Sequence, residues 1–271
     1  MTHAKTQRHK ERPKMRCFSL PLAAVLALVS TAGVADGTRP AEEFRIVPVR
    51  VHLLRSEVAP AVNTKLQAAD VARIFRKANN VWQPAGIHFW VESVVDEKAI
   101  NAEARRDDAV LTLDSLPALR PAASRAEGMF HVYYVGAMSV NGVYMARDSI
   151  FVQEAAKLRP VEGGIDEPLP RVTSHELGHA MGLPHRQDRT NLMASGTTGT
   201  SLNDAEIEKV RLTTHVMRWI LPADEFEKEA EKNAADGKKD LALSQLRSVA
   251  ELQGKSGTID RAHAALHALE K

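Results

Sequence analysis

Residues 175–185 read HELGHAMGLPH. His175 and His179 are separated by four positions, which on a helix puts both imidazoles on one face, one turn apart, within reach of a single ion. Glu176 follows the first imidazole and cannot point the same way as both, so its carboxylate is placed to hydrogen-bond water at that ion. Gly182 lies three residues past His179, where the helix must stop if the chain is to turn back. Glycine accepts the left-handed conformation that such a turn demands. Pro184 blocks further helix, and His185 returns as a third imidazole. Three neutral imidazoles leave one tetrahedral position open, the coordination of a catalytic Zn2+ and not of a structural one. Five fixed positions coincide by chance in about one window per several million.

These side chains need a scaffold, and the hydrophobic pattern predicts one. Residues 44–54 (FRIVPVRVHLL) alternate as a strand, with Pro48 implying an edge position or a bulge. Residues 64–82 carry apolar residues at helical spacing, and Pro84 and Gly86 stop that helix. Strands are predicted at 87–95 and 129–135, with short strands at 142–146 and 149–153 after the Asn141-Gly142 turn. Residues 96–125 read as helix fragments and loop, and the proline- and glycine-rich 160–170 as loop. Helices follow at 172–181 and 202–220, the latter capped by Asn203 or Asp204 and ended by Pro222. From Ala223 the chain is rich in Ala, Glu, Lys and Leu, and Gly237 and Gly254–Gly257 divide it into three helices. The order is α+β with a mostly one-layer sheet.

At 175–185 the chain resembles the metzincin clan of zinc endopeptidases. The resemblance extends to NLMA at 191–194, where the clan has a methionine turn, so Met193 would be a soft apolar floor under the histidines and not a ligand. The opening strand–helix–strand, the paired strands within 129–153 and the closing helix at 202–220 also match, so about 44–221 is covered. Within the clan the loose match is to matrixin-like bacterial secreted enzymes. Arg186, after the third histidine, fits no familiar subfamily, and no tyrosine follows Met193 to act as an extra ligand. No propeptide is recognisable between the expected signal segment and Phe44. The resemblance implies a metzincin-type zincin with a twisted mixed sheet, an active-site helix and a closing helix, plus a small all-α appendage. It implies one catalytic Zn2+ on His175, His179 and His185, Glu176 as general base, and Gly182 and Met193 as structural residues. The implied activity is that of a secreted metalloendopeptidase on peptide or protein substrates. The alternatives are a catalytically silent binding or adhesion protein on the same fold, and a metal-dependent hydrolase of something other than peptides.

The 271 residues divide into an expected signal peptide at 1–35, a linker at 36–43, a catalytic domain at 44–222 and a helical extension at 223–271. The signal reading rests on a cationic stretch ending at Arg16, an apolar run from Leu20 to Val29 and small residues up to Ala35. Without that segment 30 basic and 33 acidic residues remain, so charge implies no nucleic-acid partner. The apolar run is shorter than the ~20 residues that cross a bilayer, so no stable membrane span is expected after cleavage. The only cysteine, Cys17, falls inside the signal. The expected location is secreted or periplasmic. The extension is too short to be stable alone, so it should pack on the catalytic domain or on a protein partner.

Other residues carry weaker signals. His263 and His267 are four apart but have no acid or third ligand beside them, and read as exposed helix histidines. His52, His88 and His131 fall in predicted strands, as packed or surface residues. Glu162, Asp166 and Glu167 in the glycine-containing loop 161–168 could hold Ca2+, though the spacing favours a solvated loop. Trp82 and Trp90 read as core.

Overall fold

The computed structural model describes residues 40–145, 148–253 and 256–270. The expected signal segment lies outside them. The elements are β1 (Arg45–Arg55), α1 (Ala68–Trp82), β2 (Ile87–Lys98), β3 (Phe130–Val135), β4 (Gly142–Met145), β5 (Ser149–Gln153), α2 (Pro168–Ala180), α3 (Asp204–Val216), β6 (Leu221–Pro222), α4 (Ala223–Ala235), α5 (Lys239–Ala250) and α6 (Gly257–Leu269). The sheet order is β2-β1-β3-β5-β4, with β6 pairing antiparallel to the start of β1. The first four strands are parallel and β4 runs antiparallel at the edge, so the sheet is mixed.

Alternation along the strands sorts two faces. Val47, Val49, Val51 and Leu53 of β1 and Phe130, Val132 and Tyr134 of β3 share a core with Ile74 and Phe75 of α1 and Val172 and Leu177 of α2. Trp82 is fully buried there and meets Phe89 edge-on, with centroids 6.0 Å apart. The opposite face changes character along its length. At one end Ile46 and Trp90 pack with Phe44 against Phe226, Leu246 and Ile259 of the C-terminal helices. At the other, Leu54, Tyr133 and Phe151 pack under Leu111, Leu116 and Leu119.

Between these two apolar ends lies a buried polar chain. His131 Nε2 donates to the Ala126 carbonyl at 2.8 Å, which leaves its Nδ1 to accept from His52 Nε2 at 2.8 Å. His52 Nδ1 lies 2.7 Å from Glu97 Oε1, so a proton joins the ring and the carboxyl group. Burial raises the Glu97 carboxyl and drives His52 down to about 3.

Several boundaries differ from the sequence pattern for local reasons. Pro48 is on an interior strand, not an edge. It falls between Ile46, the last residue paired to β6, and Val49, the first paired to β3, and a bulge follows at Val49/Arg50. The expected helix at 64 begins only at Ala68, because Glu154 takes the Thr64 hydroxyl at 2.9 Å and the Lys65 N–H at 2.6 Å and holds the chain extended. Strand β2 runs to Lys98, where Asp96 pairs with Arg55 of β1. Helix α2 starts at Pro168, within the expected loop, because proline is tolerated in a first turn that needs no N–H. Helix α3 ends at Val216, not 220, and the chain turns into β6, which had no readable signal at two residues. Residues Ala41–Glu43, expected as linker, form a 3-10 turn with Ala41 buried in the core of the C-terminal helices. No helix among the described residues is long and apolar enough to cross a membrane.

Buried histidines give the fold an acid sensitivity. His88 is 6% exposed, and desolvation lowers it from 6.5 to about 4. Unfolding therefore takes up a proton between these values, and the stability His88 contributes above pH 6.5 is lost as pH falls toward 4. We expect His88→Gln to remove about 2 kcal/mol of the stability difference between about pH 7 and about pH 5, measured by urea denaturation.

Candidate metal centre

Helix α2 buries Val172, Leu177 and Ala180 against the sheet and α1, and this fixes which way its histidines face. Its end is a reverse turn of two hydrogen bonds: Leu183 N–H reaches the Gly178 carbonyl and Gly182 N–H reaches that of His179, both at 2.9 Å. Gly182 sits at φ +88°, the left-handed position that this closure requires. The turn aims the Leu183 carbonyl back at the helix, where it accepts from His179 Nδ1 at 2.7 Å. From further along the chain, the Leu192 carbonyl accepts from His175 Nδ1 at 2.7 Å.

A carbonyl can only accept, so both Nδ1 atoms carry hydrogen and both Nε2 atoms present lone pairs. The Nε2 atoms of His175 and His185 each lie 3.1 Å from that of His179. All three ligand atoms fall within 4.8 Å of one another. Two nitrogens bound tetrahedrally at ~2.0–2.1 Å stand about 3.3 Å apart, so the spacing suits Zn2+. Lone pairs so placed repel one another unless a cation lies between them. Burial lowers His175 to about 3 and lowers His179, which keeps both neutral and able to ligate.

Glu176 is 5% exposed, and burial raises it to about 7, opposed by the Tyr144 backbone N–H and by Arg171. Gln153 N–H donates to the Asn141 carbonyl, so odd-numbered β4 residues face β5 and Tyr144 faces outward from the edge strand toward Glu176. The approach of α2 to β4 is close. A Cβ on Gly142 would stand 2.6 Å from Val172 Cγ1, 2.7 Å from Glu176 Cγ and 2.8 Å from Glu176 Oε1. Gly142 is thus a site residue, though the sequence pattern marks it only as a turn.

Met193 is fully buried under the histidines' helix. A Cβ on Gly178 would lie 2.7 Å from its sulfur, so glycine at this position lets the methionine press against the α2 backbone. The turn carrying Met193 is braced from several sides. Met193 N–H donates to Asn191 Oδ1 at 2.7 Å, and Asn191 Nδ2 donates to Glu206 Oε2 at 2.8 Å. Arg186 Nε reaches Glu206 Oε1 at 2.6 Å, and Arg186 N–H donates to the Met193 carbonyl at 2.9 Å. Burial alone would raise Glu206, but bonds from Asn203, Asn191 and Arg186 hold it below the usual carboxylate range. Glu206 also accepts from Asn203 N–H while Asn203 Oδ1 caps Glu206 N–H, so one carboxylate ties together the segment after His185, the methionine turn and the start of α3. The unusual Arg186 has its structural place here.

The structure thus brings His175, Glu176, His179, Gly182, His185 and Met193 into one site. Asn191, Glu206, Gly178, Tyr144 and the buried Arg171 join it, and no sequence signal singled them out as site residues; Arg171 lay just before the helix expected at 172–181. His263 and His267 are exposed on α6. In loop 161–168, Asp166 pairs with Lys77, and Glu167 pairs with Arg73 and Lys77. A cavity of about 800 Å³ lies between α1, β2 and α5, and the three histidines do not line it.

No family model and no curated protein matches the chain. Among solved structures it is similar to mirolysin in complex with compound 9, at 10% identity and TM-score 0.45, over 62% of this chain and 90% of that one. It is also similar to archaemetzincin from Methanopyrus kandleri, at 14% identity and TM-score 0.42, over 65% and 98%. Metalloproteinase-II from Bacteroides fragilis gives 9% identity and TM-score 0.39, over 62% and 53%. At such distances the assignment of function rests on the geometry of the site itself.

The contact at Gly142 is directly testable. Gly142→Ala should displace Glu176 while leaving the three histidines in place. We expect stoichiometric zinc by metal analysis, together with a loss of about 10²-fold in the hydrolysis proposed below, as for a misplacement of about 1 Å at a reacting group.

Proposed function

We propose that the protein is a zinc-dependent metalloendopeptidase of the metzincin type, exported by the segment at 1–35 and similar within the clan to matrixin-like bacterial enzymes. The observation that carries this is the convergence of three imidazole nitrogens, two of them with lone pairs set by backbone carbonyls, beside a buried carboxylate on the helix that bears those two. His175, His179 and His185 would hold the ion, which when bound supplies Lewis acidity toward water and the scissile carbonyl.

This chain's own residues do the rest. Tyr144 N–H orients the Glu176 carboxylate at the edge of β4. Glu176 takes a proton from the attacking water as the new C–O bond forms, then passes it to the leaving nitrogen as the C–N bond breaks. An extended peptide running antiparallel to β4 would add a strand at that edge, which gives backbone-driven affinity with weak demands on side chains.

Glu176→Ala should keep stoichiometric zinc and lose about 10²–10⁴ in rate on casein or gelatin. A chelator should abolish wild-type cleavage, and added zinc should restore it. Wild-type protein that binds zinc yet leaves both substrates intact would overturn the peptidase assignment, and a fully active Glu176→Ala protein would overturn the role given to that carboxylate.

A further inference from the structure

Arg171 lies on α2 one turn before His175 and is 1% exposed. Such burial normally demands a carboxylate partner, yet among the described residues no acid lies within ion-pair distance of it. Its guanidinium is spent on backbone carbonyls. Nε donates to Gly199 at 3.1 Å, and Nη2 donates to Ala194 and, at 3.5 Å, to Asn191. Desolvation lowers the guanidinium to about 10, opposed by the charge of Glu176, which acts on it without a direct contact.

All three carbonyls belong to 191–199, the segment that carries Met193 and the Leu192 carbonyl. That segment forms no helix or strand; backbone bonds from Arg159, Ile165, Arg186 and Ser201 and the Glu206 carboxylate brace its other sides. Toward α2 it is hydrogen-bonded at two points, His175 Nδ1 on the Leu192 carbonyl and the Arg171 fork on the carbonyls around it, besides the packing of Met193 on Gly178. Packing alone would be served by leucine or methionine, without the cost of a buried charge. Only a planar fork with several donors can gather carbonyls from three points of one loop.

We propose that Arg171 is a positioning residue of the metal centre: by clasping the 191–199 loop it fixes the carbonyl that sets the His175 tautomer and the methionine floor beneath the histidines. The proposal rests on the zinc assignment above and adds to it a group that touches neither ion nor substrate. Partners of ligating histidines typically matter by 10–100-fold in metal affinity, and Arg171 acts one step further out by holding such a partner.

The test uses the full chain with Arg171→Met, Arg171→Lys and, as a control on the same helix, Ser174→Ala, which removes a buried hydroxyl that has no hydrogen-bond partner among the described residues. Zinc Kd is measured by chelator competition, the visible spectrum is recorded for cobalt-substituted protein, and circular dichroism checks the fold. We expect Arg171→Met to weaken zinc binding by about tenfold or more and to change the cobalt spectrum at unchanged secondary structure. Arg171→Lys should recover part of the affinity, because an ammonium reaches fewer carbonyls, and Ser174→Ala should match wild type. If Arg171→Met does not fold, the comparison of Arg171→Lys with Ser174→Ala carries the test. Wild-type Kd and cobalt spectrum in every Arg171 variant that folds would overturn the clasp and leave the zinc assignment standing. Wild-type protein without zinc affinity would instead remove the assignment itself.

Discussion

Everything at the site depends on the direction of two imidazole rings. A histidine ligates through one nitrogen only if the other is held, and here the holding groups are main-chain carbonyls of Leu192 and Leu183. One comes from the turn that ends the helix, and so is built locally. The other comes from a loop seventeen residues away, and so requires that the loop be pinned. The architecture around the histidines is largely the means of pinning it. Glu206 collects Asn191, Arg186 and Asn203, and α3 contributes its first turn to this anchor.

Two glycines set how close the layers come. At Gly178 the methionine sulfur occupies space that any other side chain would fill, and at Gly142 the Glu176 carboxylate does. The contacts are on opposite sides of α2: one under the ligands, one toward the edge strand. A helix held this tightly between a floor and a strand has little freedom to shift its side chains, which is the condition for a preorganised reacting group.

The C-terminal helices belong to the same architecture. Strand β6 ends at Pro222 and α4 begins at Ala223, without intervening linker. Their core includes Phe44, Ile46 and Trp90, and Trp90 Nε1 donates to Ser244 of α5 at 2.9 Å. Three short helices that could not bury enough surface alone gain a core by closing one end of the sheet. They thereby cover apolar residues of β1 and β2 that would otherwise face water.

The sequence alone brought out the three imidazoles, the carboxylate beside them, the glycine turn and the order of the longer strands and helices, because these are encoded over one or two turns or by alternation along a strand. His175, Glu176, His179, Gly182 and His185 are all fixed by spacing within eleven positions. Met193 was legible only through family resemblance, since a lone methionine in a loop has no local signature. Only the tertiary structure decided that Gly142 makes room for Glu176, that Arg171 meets three carbonyls, that Arg186 meets Glu206, and that Glu97, His52 and His131 form one hydrogen-bonded chain. Each is a contact between segments far apart in the chain, where the energy depends on distances that no periodicity records. Pro48 shows the same limit in the fold: the missing N–H was readable, but whether it faced solvent or a gap between two partners depended on where β3 and β6 came to lie.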